Sequence, residues 1–246
     1  MADSTMFVFR QFSDFYENIR DFCTCRIFQN LLTLIHVKTY DFYLFDFDGT
    51  LVDSLNSLMH VFANSFQDIG ISITREECLT FSRQPIDVSY YGKGGTEDKF
   101  FYFIDRINYY LNSHKAVELT ELFEDTIPLI RFLQDNRISC GIVTSNNIPH
   151  VKEVLDFFHL PHELFMVYTG NQETDEFKPS PKPILKALKI ANYKGKKSNV
   201  AYIGDGLNDM LSAKNAGVEG ILIDRVNAFE DSADYIRISS LMDLFK

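Results

Sequence analysis

The sequence predicts an α/β protein: a doubly wound parallel sheet, interrupted by an inserted helical segment and preceded by a helical extension. Three observations carry this prediction. From Thr126 onward, segments with helical periodicity alternate with short apolar runs, which is the pattern of repeated βα units. Before them, residues 40–45 form an aromatic and aliphatic run broken only by Asp41, as expected of a buried strand that ends at two aspartates and a turn. Between these parts, residues 55–125 read as helical.

Composition bounds the rest. The chain has 246 residues, enough for one domain with an insertion or two small ones, and 46% hydrophobic residues with 23 Phe can build a sizeable core. A net charge of −10 argues against nucleic acid or an anionic membrane as the main partner. Lys182, Lys186, Lys189, Lys194, Lys196 and Lys197 form a local basic run whose spacing suits the solvated side of a helix and its turn. Cys23, Cys25, Cys78 and Cys140 are too few and too scattered for a disulfide framework, and C-x-C is not a usual zinc half-site. A reducing, cytoplasmic setting is therefore expected.

No stretch approaches the ~20 apolar residues of a membrane span. Arg10 and Asp14 interrupt any signal-like apolar region. Asp3, Asp14, Glu17 and Asp21 balance Arg10, Arg20, Arg26 and Lys38, unlike an acid-poor transit peptide.

Taken in order, residues 1–39 place Phe12, Phe15, Tyr16, Ile19, Phe22, Cys23, Ile27, Leu31, Leu34 and Ile35 at helical spacing. They are expected to pack against the domain or to join two copies in a homo-oligomer. After the first strand, Leu55, Leu58, Met59, Phe62, Phe66 and Ile69 line a helix stopped by Gly70. A polar loop at residues 91–96 precedes an aromatic helix over residues 100–111. The loop lacks the spacing of a nucleotide-binding P-loop.

Helices are then expected around Ile127, Ile130 and Leu133; around Val151, Val154, Leu155 and Phe158; over residues 183–190; and over residues 210–216, closed by Gly217. The intervening strands are expected at residues 139–143, 164–168, 200–203 and, last, 220–223. The predicted division is an extension at residues 1–39, an α/β core at residues 40–54 and 126–246, which the resemblance described below makes the catalytic core, and an inserted helical segment at residues 55–125, which it makes the cap.

In such a sheet, ligands bind beyond the carboxyl ends of the strands. Four segments there carry reactive side chains: Asp46 and Asp48; Thr144-Ser145-Asn146; Lys178 in Lys178-Pro179-Ser180-Pro181; and Gly204-Asp205 through Asp209. Each has a plain structural use alone: a solvated strand end, a helix cap, a surface lysine, an acid favouring a helix dipole. Together they supply a nucleophile, a second carboxylate, hydroxyl donors, a fixed cation and further acids for a metal, which is the equipment of phosphoryl transfer through an aspartyl-phosphate. Two crowded carboxylates also need a positive charge between them, and a divalent metal meets that need.

Over roughly residues 40–225 the chain resembles the haloacid dehalogenase (HAD) superfamily, of the phosphoglycolate phosphatase/β-phosphoglucomutase type with a helical cap on a Rossmann-like core. Asp46 through Ser54 matches the first motif of that group, and Thr144, the Lys178 segment and Asp205/Asp209 match the other three in order. The resemblance implies a Mg²⁺-dependent phosphatase acting on a small phosphorylated metabolite. Asp46 is then the nucleophile and Asp48 the acid/base. Thr144, Ser145 and Lys178 hold the phosphoryl oxygens. Mg²⁺ is bound by Asp46, the backbone carbonyl of Asp48 and Asp205, supported by Asp209.

Two features depart from the family pattern: the extension before the first motif, and Glu124-Asp125 where a Pro-Gly turn is usual. A phosphomutase would add a second phosphate site, for which Arg83 or Lys93 could serve, and residues 83–91 are expected to face the substrate. A catalytically silent interaction module is the remaining alternative, disfavoured because every catalytic position is occupied.

Overall fold

The computed structural model describes residues 38–81, 84, 86–170, 174–230, 232 and 234–246. The helices expected before residue 38, their part in assembly, and Arg83 lie outside the described residues.

Strand β1 (Phe42–Phe45) is wholly buried and opens the chain's central sheet. A tight turn leads to β2 (Val52–Asp53), then to five helices: α1 (Leu55–Asp68), α2 (Arg75–Phe81), α3 (Ile86–Gly92), α4 (Glu97–Leu111) and α5 (His114–Glu118). Strand β3 (Glu121–Leu122) returns antiparallel to β2, with Val52 opposite Leu122 and Asp53 opposite Glu121. The alternating part follows: α6 (Thr126–Asp135), β4 (Cys140–Val143), α7 (Ile148–Phe157), β5 (Phe165–Thr169), α8 (Lys182–Ile190), β6 (Val200–Gly204), α9 (Leu207–Ala216), β7 (Glu219–Ile223) and β8 (Ile236–Ile238). The six long strands form one sheet in the order β5-β4-β1-β6-β7-β8, every neighbouring pair parallel.

Pleating explains the two-sided core. Successive strand side chains point to opposite faces, so Tyr43 and Phe45 join Ile142, Ile203 and Ile221 under α6 and α7. Phe42 and Leu44 join Val143, Val200 and Tyr202 under α8 and α9. A parallel sheet covered on both faces needs such continuous apolar strands. The inserted helices hold a third cluster of their own, built on Phe62, Phe66, Phe81, Tyr90 and Phe103.

The structure shifts several expected elements. The first strand begins at Phe42: Asp41 is exposed, and Tyr40 packs partly buried against the core ahead of the regular pairing. Helix α9 begins at Leu207, three residues before Met210, since Gly206 and Asp209 already cap it. The last strand is β8, and the helical stretch ends at Glu118 before β3 rather than at residue 125. The loop before α4 is shorter than residues 91–96, because α3 continues through Gly92.

Gly217 closes α9 with φ +77°, a left-handed cap that glycine adopts without penalty. Cys78 and Cys140 are free and buried, as expected of small core residues. Lys182 of the basic run pairs with Glu176 at 2.6 Å and Asp175 at 3.2 Å on the surface. Among the described residues, no helix is long and apolar enough to cross a membrane.

Candidate active site

The site gathers at the carboxyl ends of β1, β4 and β6, which lie side by side in the sheet. Asp46 directly follows β1 and its N–H donates to the Ile203 carbonyl at 2.8 Å, so the pairing with β6 extends one residue beyond the strand. The chain then turns sharply: the Leu51 N–H donates to the Phe47 carbonyl at 2.9 Å and the Gly49 N–H to the Val52 carbonyl at 2.8 Å. Gly49 has φ +78°, and a Cβ there would overlap the Asp205 carboxylate. The turn therefore needs glycine twice over, for its backbone and for the acid packed against it.

Lys178 lies at the centre. Its Nζ is 2.9 Å from Asp46 Oδ1 and 2.7 Å from Asp209 Oδ1, with all three side chains almost sealed from solvent. It also donates to the Tyr202 hydroxyl at 3.2 Å. That hydroxyl lies 2.9 Å from the Val143 carbonyl and 3.0 Å from Asp209 Oδ1, while Asp209 Oδ2 accepts from the Gly206 N–H at 3.0 Å. Asp209 is thus a fixed anchor for the lysine.

Asp46, Asp205 and Asp209 can each offer an oxygen within 4.8 Å of the others. Burial, only partly offset by Lys178, pushes the Asp46 carboxyl well above the carboxylate range, and the Asp209 and Asp205 charges push it further. Asp205 keeps an open edge to solvent, yet the protein packed around its carboxyl, and then Asp209, raise it to about 6. Burial opposes the Lys178 charge, and the two aspartates more than restore it. Three carboxylates against one ammonium leave excess negative charge. Oxygen-only donors with that excess suit Mg²⁺, so the residues present fit the ion.

Asp48 points elsewhere. Its Oδ2 accepts from Asn146 Nδ2 at 3.1 Å, and its carboxylate is not part of the three-acid cluster. Thr144 directly follows β4 and is buried; its N–H donates to the Thr169 carbonyl at 2.9 Å, and its Oγ1 accepts from the Asn146 N–H at 3.0 Å. Ser145, next in the turn, is exposed. Lys93 is tied to Glu77 at 2.6 Å within the inserted helices. Of the residues expected to face substrate, Tyr90 is instead fully buried in the insertion's own core.

Two polar contributors have no role assigned from sequence. Tyr202 reads as one more aromatic in an apolar strand, and Asn146, named with Thr144 and Ser145 at the strand end, as one more polar residue in a turn. Only the sheet order, which places β6 beside β1 and β1 beside β4, brings them to the aspartates.

A buried acid–lysine cluster, set where a doubly wound sheet binds ligands, defines an α/β protein with a candidate active site. The family of haloacid dehalogenase-like hydrolases matches residues 43–223, and the chain belongs to it. A PpaX protein of Caldanaerobacter subterraneus subsp. tengcongensis is 28% identical over 181 residues, covering 73% of this chain and 80% of the relative. A phosphoglycolate phosphatase of Mannheimia succiniciproducens is 25% identical over 189 residues, covering 72% and 82%. A crystal structure of a haloacid dehalogenase-like protein from Bacteroides fragilis matches with a TM-score of 0.72 and 27% identity, over 84% of this chain and 100% of that one.

Proposed function

We propose that this enzyme, a phosphoric monoester hydrolase, is a Mg²⁺-dependent phosphatase that hydrolyses a small phosphorylated metabolite through a phosphorylated Asp46. The observation that carries the reading is Lys178, buried between Asp46 at 2.9 Å and Asp209 at 2.7 Å. A lysine so fixed offsets the charge of the attacking carboxylate and offers a donor to phosphoryl oxygens. Relatives with phosphatase names, among them the Mannheimia phosphoglycolate phosphatase, agree with it.

In this reading Asp46 attacks phosphorus while Asp48 gives its proton to the leaving oxygen, and the P–O bond to the alcohol breaks. Asp48, now a carboxylate, takes a proton from water as the water oxygen attacks the same phosphorus; phosphate leaves and Asp46 is restored. Thr144, Ser145 and Lys178 hold the phosphoryl oxygens. Asp46, Asp205 and the Asp48 backbone carbonyl, with Asp209 behind them, would hold Mg²⁺, which neutralises phosphoryl charge and keeps Asp46 deprotonated. The pairing of Lys93 with Glu77 favours hydrolysis over a mutase, since it occupies a cation suited to a second phosphate.

The test is phosphate release from a panel of small phosphate monoesters with Mg²⁺ present. Asp46→Asn is expected to lower turnover by at least ~10³-fold, because the covalent step is lost. Undiminished turnover in excess EDTA would overturn the mechanism.

A further inference from the structure

We infer that Asn146 is a positioning residue for Asp48, holding the acid/base carboxylate by one oxygen so that the other carries the transferring proton. The inference rests on the phosphatase reading above and adds a residue to it.

The geometry assigns the amide without ambiguity. Asn146 Oδ1 accepts from the Asn147 N–H at 2.8 Å, and a backbone N–H can only donate. The other amide atom, 3.1 Å from Asp48 Oδ2, is therefore the NH₂. Asn146 is itself held from a third side, because its own N–H donates to Thr144 Oγ1 at 3.0 Å. It is 7% exposed and sits at the start of α7, whose N-cap is Asn147.

Asp48 and Asn146 are 98 residues apart in sequence and meet because β1 and β4 are adjacent. Asp48 is half-buried and lies within the glycine-containing turn, so without a partner its carboxylate could rotate about its side-chain bonds. The Asn146 donor takes Oδ2 and leaves Oδ1 for the proton that passes to the leaving oxygen. Since acid/base transfer depends on such placement, freeing the carboxylate should cost proton transfer and spare substrate binding.

The discriminating variant is Asn146→Asp. It preserves size and the Oδ1 acceptor for the Asn147 N–H, and replaces the donor to Asp48 with a second carboxylate oxygen. Asn146→Ala removes the donor without adding charge, and keeps the idea testable should the added carboxylate disturb folding.

Single-turnover release of the leaving group is measured with phenyl phosphate and p-nitrophenyl phosphate, two probes of one shape. Phenolate, with a pKa of about 10, needs the proton; p-nitrophenolate departs without it. Both variants are expected to slow phenol release by about 10- to 100-fold, against less than about threefold for p-nitrophenol, with the substrate Kd, read from the concentration dependence of the single-turnover rate, within about threefold. Because the second step also needs Asp48, p-nitrophenyl phosphate should then give a burst, and an acyl-phosphate labile to hydroxylamine should accumulate. Equal slowing of both probes, or no slowing of either, would overturn the inference and leave the phosphatase reading standing. A wild-type protein that releases phosphate neither from these probes nor from the panel of small phosphate monoesters would overturn the phosphatase reading, and this inference with it.

Discussion

Arg225 Nη1 donates to Asp125 Oδ2 at 2.8 Å across 100 residues of sequence, and its guanidinium stacks 3.9 Å from the centre of the Phe123 ring. Its Nη2 donates to the Thr50 carbonyl at 3.0 Å. One arginine after β7 thus grips the chain just before β2 and just after β3, where the helical insertion leaves and rejoins the core. Ser240 Oγ and the Leu241 N–H donate to the same Asp125 oxygen at 2.9 and 2.8 Å, so the C-terminal segment is fastened there too. The Glu124-Asp125 departure from the family turn has a structural use.

Asp125→Ala removes the acceptor for three donors and leaves a partly buried guanidinium without its counter-charge. We expect a loss of about 2–3 kcal/mol in stability, read as a lower urea midpoint at unchanged slope. Activity per folded molecule should fall less than the stability does.

The same residue predicts a pH dependence. Burial works against the Asp125 charge, and hydrogen bonds from Arg225, Leu241 and Ser240 more than reverse it, holding the carboxyl below its ordinary range. A folded pKa below the unfolded value of about 3.9 stabilises the fold above that value, and the benefit is lost as pH falls through the folded one. The stability gap between the wild type and Asp125→Asn should therefore be full at pH 6 and shrink as pH drops below about 4.

Mg²⁺ should stabilise the fold without any substrate. Asp46, Asp205 and Asp209 repel one another around one lysine, and a divalent ion relieves the excess. At about 100 times its Kd the ion should add about 2.7 kcal/mol, seen as a rise in Tm. Asp205→Asn should remove most of that rise while its ion-free Tm stays at or above the wild-type value. An equal Mg²⁺ shift in the variant would exclude Asp205 as a ligand.

Gly49 and Gly70 make a matched pair. Both have positive φ, +78° and +84°, but a Cβ at Gly49 overlaps the Asp205 carboxylate, whereas nothing lies within 4 Å of one at Gly70. Gly70→Ala should cost about 1 kcal/mol of backbone strain and leave kcat unchanged. Gly49→Ala should add a displaced Asp205, lowering kcat by at least ~10-fold and weakening the Mg²⁺ response.

The sheet was legible because its buried strands are short, continuous apolar runs such as Phe42–Phe45 and Val200–Gly204. Strand β8 was not: it has three residues, the middle one Arg237, and lies at the sheet edge where burial writes no pattern. Two-residue strands such as β2 and β3 are too short for any periodicity to register. At the site, the aspartates and Lys178 stood out by charge in apolar surroundings. Asn146 and Tyr202 did not, because a neutral amide in a turn and a phenol in a strand are unremarked until a neighbour across the sheet gives them a partner.

The ladder of Val52 with Leu122 and Asp53 with Glu121 brings the two ends of the insertion side by side. To the sheet, everything between them is a detour that returns to where it started. Its length and sequence can then vary while both ends stay anchored beside each other, much as a surface loop tolerates insertion. One contiguous stretch of sequence can therefore vary between fixed ends while the strands that position Asp46, Thr144 and Asp205 keep their order.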